Sequence, residues 1–86
     1  MTIYLIDEPF APIGLAYAEN DPGARIVLLQ DAVHVGQRNH MKGMVYAVAD
    51  DVARRGLADS IDPSVKIIGY DELVEMMEGD RVVCFL

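Results

Sequence analysis

The residues of this sequence with the clearest chemical potential are a lone thiol and a few charged side chains near predicted strand ends. Cys84 is the single cysteine. A thiolate can carry sulfane sulfur as a persulfide and pass it on by exchange. The neighbours of Cys84, namely Val82, Val83, Phe85 and Leu86, are apolar, and apolar surroundings disfavour the thiolate. We therefore expect Cys84 to be a buried structural residue, with a catalytic thiol as the alternative.

Asp31 and His34 are the candidate ligand-binding residues. Asp31 follows the continuous apolar run of residues 26–29, which is typical of a central strand in a parallel sheet. Open α/β sheets place their sites at the carboxyl ends of such strands, so a small ligand near Asp31 and His34 is one interpretation. The simpler one is that Asp31 caps a short helix over residues 31–35. His34 and His40 lack the spacing of a metal site, and no metal is expected.

Arg54 and Arg55 stand just before Gly56 in a predicted helix that opens with Asp50 and Asp51. Acids at a helix start and bases at its end complement the helix dipole, and the i,i+4 spacing also allows ion pairs. Gly56 is expected to end this helix, because glycine readily adopts the left-handed backbone conformation found there. Helix stabilisation accounts for both arginines, and the alternative is that they contact an anion or a partner protein.

The elements that must position these residues form an alternating pattern. Short apolar runs predict strands, and the segments between them predict helices. The predicted strands cover residues 3–6, 25–30, 44–48, 65–68 and 81–85, and about four helices lie between them, the last capped by Asp71 and ending at Gly79. The fold class is therefore α/β, with a mostly parallel five-stranded sheet and right-handed crossovers that place helices on both faces.

Length and charge exclude several classes of protein. The chain has 86 residues, which is enough for one domain over residues 1–86 and excludes a two-domain enzyme. A domain this small leaves much apolar surface uncovered, so association with a partner subunit or with itself is expected. The formal net charge of -7 disfavours direct binding to nucleic acid or to an anionic membrane.

Motifs for cofactors and targeting are missing from the sequence. The first predicted strand is followed by Asp7, Glu8 and Pro9 rather than by a glycine-rich turn, and neither a Walker loop nor a Cys-x-x-Cys pair occurs. No cofactor is therefore expected. The apolar runs are too short to cross a bilayer, and the start of the chain does not resemble a secretory signal, so the expected location is the cytoplasm.

Three segments together resemble a known family. They are LLQDAV at residues 28–33, VYAVADDVARRGL at 45–57 and IIGYDELV at 67–74. In order and spacing they resemble the small DsrH/TusB subunits of the DsrE/DsrF/DsrH sulfur-relay family. The resemblance covers most of residues 25–77.

This resemblance implies a fold, a role and a set of partners. The fold would be a three-layer α/β/α sandwich of flavodoxin-like appearance. The role would be cytoplasmic persulfide transfer, which in relatives serves 2-thiolation of the tRNA wobble uridine or sulfur oxidation. The partners would be DsrE-like and DsrF-like subunits in a hetero-oligomer.

The sequence departs from the family's catalytic members at one position. In DsrE-type relatives the sulfur-carrying cysteine lies near the end of the strand before the Arg-Arg-Gly helix, and the aligned place here is Val48 or a neighbour. No cysteine occurs there. The resemblance therefore implies an accessory, non-catalytic subunit, with Cys84 on the closing strand. A stand-alone persulfide carrier and a homo-oligomeric ligand-binding module remain as alternatives.

Overall fold

The computed structural model describes residues 2–21, 23–37 and 44–86. Within these residues the chain forms five strands, three α-helices and one 3-10 helix. In chain order they are β1 (Thr2–Ile6), α1 (Ala11–Glu19), β2 (Arg25–Leu28), the 3-10 helix (Gln30–Gln37), β3 (Met44–Val48), α2 (Ala49–Arg54), β4 (Lys66–Ile68), α3 (Tyr70–Met77) and β5 (Arg81–Phe85). The α/β class and all five predicted strands are confirmed, whereas His40 lies outside the described residues.

The five strands form one parallel sheet in the order β4-β3-β2-β1-β5. β1 pairs with β2 on one side and with β5 on the other, so that Leu5 stands beside both Val27 and Cys84. β3 pairs with β2 and with β4. The carboxyl ends of all five strands therefore lie at one edge of the sheet.

The strand order determines which face each helix covers. From β1 to β4 the chain moves steadily across the sheet, and right-handed crossovers then place α1, the 3-10 helix and α2 on the same face. The return from β4 to β5 runs the opposite way and places α3 on the other face. Two separate cores agree with this arrangement: one joins Ala18, Val33 and Val52 from the first three helices, and the other contains Leu73 from α3.

The sheet has a topological switch point between β3 and β4. The chain leaves β3 toward the face that carries α2 and leaves β4 toward the face that carries α3, so the two connections diverge. Ligands of open α/β sheets bind in the crevice that such a divergence leaves at the carboxyl ends of the strands. From the strand order we therefore expect a binding site at the carboxyl ends of β3 and β4.

Helix starts and lengths differ from the sequence-based expectations. The first of the expected helices covers Ala11–Glu19. Asp31 lies inside the 3-10 helix instead of capping it, and the helix expected to be capped by Asp71 begins at Tyr70, with Gly69 as its N-cap. In both cases the sequence pattern predicts the helix correctly, but the helix begins one or two residues earlier than the acidic side chain indicates. Gly56 ends α2 with the expected left-handed backbone at φ 64°.

Candidate functional site

A polar cleft lies at the carboxyl ends of β2, β3 and β4, next to the switch point. It has a volume of about 530 Å³ and opens to solvent. Its lining comes from three segments that follow these strands: the start of the 3-10 helix, helix α2 and the first residue of α3. The lining residues are Gln30, Asp31, Asp51, Arg54, Arg55 and Tyr70.

Asp51 is the buried charge of the cleft, with only 3% of its surface exposed. Its Oδ2 accepts a hydrogen bond of 2.9 Å from the backbone N–H of Gln30. Its Oδ1 lies 3.7 Å from a terminal nitrogen of Arg55, one helical turn further on. A buried carboxylate is stable only when donors and a counter-charge satisfy it, and Asp51 has both.

The carboxylate of Asp51 holds an unusual backbone conformation at Gln30. Gln30 has a positive φ of 49°, a conformation that side-chain-bearing residues adopt rarely and at a cost. This residue makes the turn from β2 into the 3-10 helix. The bond from Gln30 to Asp51 therefore ties that turn to helix α2, 21 residues later in the chain.

Arg55 connects both aspartates of the cleft. Its Nε and one terminal nitrogen lie 3.0 and 2.9 Å from Oδ1 of Asp31. Its other terminal nitrogen donates to the main-chain oxygen of Asp51 at 3.2 Å. The guanidinium donates to acceptors on two segments, so its charge is largely neutralised within the protein.

Arg54 and Tyr70 present polar groups that the fold itself leaves uncommitted. Both are exposed. Within the described ranges no ion pair involves Arg54, and the expected pair with Asp50 does not form. A free guanidinium and a phenol on one cleft wall are donors suited to an anionic or polar group from outside the chain.

The sequence-predicted site residues fall into two groups. Asp31, Arg54 and Arg55 meet in the cleft, whereas His34 is exposed on the 3-10 helix and does not line it. Asp31 and His34 therefore do not share this cleft.

Sequence reasoning missed part of the cleft. The sequence predicts an i,i+4 pair of Asp51 with Arg55, which the structure shows at 3.7 Å, but it does not predict the contact of Asp51 with Gln30. The signal that could have found it is the acidic pair at a strand end, where an α/β sheet places its crevice. Tyr70 could have been found in the same way, because it directly follows β4 and Gly69.

Cys84 differs from its expected burial. It is exposed on β5, which is an edge strand. Val82, Val83 and Phe85 are partly buried, but the thiol lies near the end of an edge strand, where no further strand of the described sheet covers it. β5 is three strands away from β3, which at strand spacing is roughly 14 Å. The thiol is therefore not part of the cleft.

Metal-ligating side chains do not gather in the part of the chain that the structure describes, where no group of three or more His, Cys, Asp and Glu occurs. Over the same residues, no helix has the length and apolar character needed to span a membrane.

The fold and site define a small parallel α/β domain whose switch-point cleft is polar and contains no thiol among its lining residues. The family model described as DsrH like protein matches residues 14–83. The chain belongs to the DsrH family, and is thus a DsrH/TusB-like protein of the sulfur-relay family.

Individual relatives agree with this assignment. The chain is 30% identical over 59 residues to Protein TusB from Buchnera aphidicola subsp. Baizongia pistaciae (strain Bp), a match that covers 59% of this chain and 62% of that protein. It thus spans less than two thirds of the relative's length. The crystal structure of the ychN protein from E. coli is similar in fold, with a TM-score of 0.72, 18% identity and coverage of 98% of this chain and 97% of that one. The flavodoxin-like three-layer fold is thereby confirmed.

Proposed function

We propose that this protein is an accessory subunit of a cytoplasmic sulfur-relay complex. It associates with DsrE-like and DsrF-like subunits and covers the persulfide site of a catalytic partner. It receives no sulfur itself. Its switch-point cleft contacts the partner's sulfur-carrying segment.

The observation that carries this proposal is the chemistry of the cleft. Val48 ends β3 and is completely buried, at the place where the resemblance puts the cysteine of catalytic relatives. The six residues that line the cleft include no thiol. Neither the position that the resemblance assigns to the catalytic cysteine nor the lining of the cleft therefore offers a group that would accept sulfur, which supports an accessory role.

The hydrogen-bond donors of Arg54 and Tyr70 are suited to bind a persulfide on a partner subunit. A persulfide carries negative charge, and charge-assisted hydrogen bonds from guanidinium and hydroxyl groups stabilise such an anion. Arg55 is occupied by Asp31 and Asp51. Arg54 and Tyr70 are free to supply these bonds, so they are the residues expected to contact the partner's sulfur.

The test is a reconstituted relay that contains a cysteine desulfurase, the DsrE-like and DsrF-like proteins and this chain. Persulfide-selective labelling should mark the DsrE-like subunit, and transfer to the next acceptor should require this chain. Arg54→Ala should slow transfer, whereas Lys66→Ala should not, because it removes an exposed cation that does not line the cleft. Transfer at full rate without this chain would contradict the proposal.

The downstream acceptor is a separate question with its own measurement. We propose the tRNA wobble uridine as the final acceptor, as in relatives that carry out 2-thiolation. Deletion of the gene should lower the 2-thiouridine content of the affected tRNAs. An unchanged content combined with impaired sulfur oxidation would assign the chain to the oxidative route instead.

A second candidate function is a stand-alone persulfide carrier that uses Cys84. The exposure of this thiol favours it, because an accessible sulfur can meet a donor. Incubation with a cysteine desulfurase followed by persulfide-selective labelling separates the two candidates. If the wild type is labelled, and the Cys84→Ser variant loses both the labelling and the transfer of sulfur, Cys84 is the carrier. Labelling equal to that of Cys84→Ser would exclude it.

A further inference from the structure

The two edges of the sheet differ in how well they are protected from pairing with another chain. β4 has only three residues and exposes Lys66, and both features discourage strand addition. β5 has five residues and, after Arg81, carries Val82, Val83, Cys84 and Phe85. The β5 edge is therefore long and apolar, which is typical of an edge that a partner covers.

Helix α1 is apolar on its outer side as well as on its inner side. Ala11, Gly14 and Ala18 are buried against the sheet. Ile13 and Tyr17, spaced by one turn, face outward and are 55% and 62% exposed. A helix that is hydrophobic all round is typical of one that is covered on both sides.

The outer side of α1 and the β5 edge form one continuous surface. Phe10, at the N-cap of α1, is 41% exposed and extends the stripe of Ile13 and Tyr17. The ring of Tyr17 stacks on that of Phe85 with centroids 5.6 Å apart. We name the residues Phe10, Ile13, Tyr17 and those of β5 the α1/β5 surface.

The charges around the α1/β5 surface indicate the kind of partner that fits it. Asp7 and Glu8 precede α1, and Glu19 and Asp21 lie at its other end. Among the described residues of α1 and β5, Arg81 is the one cation. Two copies of this chain would place these carboxylates against one another, and like charges across an interface disfavour the complex.

We propose that the α1/β5 surface docks a partner protein whose contact face has an apolar centre framed by Lys and Arg. The partner is not a second copy of this chain. We take the partner to be the DsrE-like or DsrF-like subunit, and this choice rests on the function proposed above. β5 is the edge strand opposite β4, and no residue of the α1/β5 surface lines the cleft, so docking here leaves the cleft open.

The experiment measures the affinity of the purified chain for the DsrE-like and DsrF-like proteins, with Ile13→Asp as the test variant. Val74→Asp is the matched control, because Val74 on α3 is 56% exposed. Ile13→Asp should weaken binding at least about tenfold, since a charge would enter the apolar centre of the interface. Val74→Asp should leave the affinity unchanged, and added salt should weaken the wild-type complex.

Cys84 serves as a reporter for the β5 part of the surface. Its alkylation should be slow in the complex and fast in the free chain. Equal losses of affinity in the two variants, or unchanged alkylation of Cys84, would overturn the assignment of this surface. Self-association of the wild type that Ile13→Asp abolishes would overturn the choice of partner. Binding to neither subunit would refute the proposed function, whereas binding that Ile13→Asp leaves intact would refute this inference alone.

Discussion

Removal of the Asp51 carboxylate should destabilise the fold more than removal of any neighbouring acid. In Asp51→Ala the N–H of Gln30 loses its acceptor, and Arg55 loses one of its two carboxylate partners. The left-handed backbone of Gln30 also loses the bond that restrains it. Asp51 is almost fully buried, so water cannot easily replace the contacts that the substitution removes.

The expected magnitude follows from these contacts. A hydrogen bond to a charged group contributes about 1.5–3 kcal/mol, and loss of one partner from a buried pair costs about 3–5 kcal/mol. Arg55 keeps Asp31 and reaches solvent, so the lower values apply and the free energy of unfolding should fall by about 2–3 kcal/mol. For a domain of this size that corresponds to a decrease in Tm of about 10–20 °C.

Thermal and urea unfolding followed by circular dichroism suit this test, because the chain contains no Trp. Asp50→Ala is the matched control: it removes the other acid from the first turn of α2, so the effect on the helix dipole cancels in the comparison. Asp50 is exposed and its variant should stay within about 0.5 kcal/mol of the wild type. Equal Tm values for the two variants would refute the reasoning.

Three further predictions concern other residues. Gly56→Ala should lower the free energy of unfolding by about 1–2 kcal/mol in urea titrations, since Gly56 has φ 64°. Gly23→Ala is the control and should change this free energy little, because an added Cβ would have no atom within 4 Å. Burial raises the pKa of Tyr4, and the hydrogen bond and charge of Asp21 add to the shift. The unfolded chain therefore loses this proton first, so stability should fall as the pH rises above about 10, and Tyr4→Phe should reduce that slope in Tm measured against pH. Cys84→Ser should change the Tm by no more than the scatter among surface variants, because the thiol is exposed; a large decrease would contradict that exposure.

The strands were predictable from sequence because their burial pattern is simple. The central strand β2 is buried on both faces and reads as an unbroken apolar run, as a parallel sheet requires. The turns were also predictable, since Gly56 and Gly79 are needed where the backbone takes a positive φ. Helix starts were less accurate, because Asp31 and Asp71 are favourable within a first turn as well as at a cap.

Burial of individual side chains was harder to predict, as Cys84 and Asp51 show. The apolar sequence around Cys84 indicated burial, but exposure depends on the strand's place in the sheet, and sequence does not give strand order. The sequence pattern predicts that Asp51 complements the helix dipole and pairs with Arg55, which gives no sign of burial because acids are usually exposed. Its burial follows from the packing of α2 against the 3-10 helix, a contact between segments 21 residues apart.

The cleft separates into a structural part and a recognition part, and this separation bears on the proposed function. The backbone N–H of Gln30 and the guanidinium of Arg55 both contact the Asp51 carboxylate, so stabilisation of the fold is enough to account for this carboxylate. Within the described part of the chain, Arg54 and Tyr70 form no side-chain hydrogen bond or ion pair, and both are exposed to solvent. Substitution of the first set should therefore reduce stability, whereas Arg54→Ala should reduce sulfur transfer while leaving the Tm unchanged. Loss of transfer only in variants that also lose stability would mean that the cleft serves the fold alone.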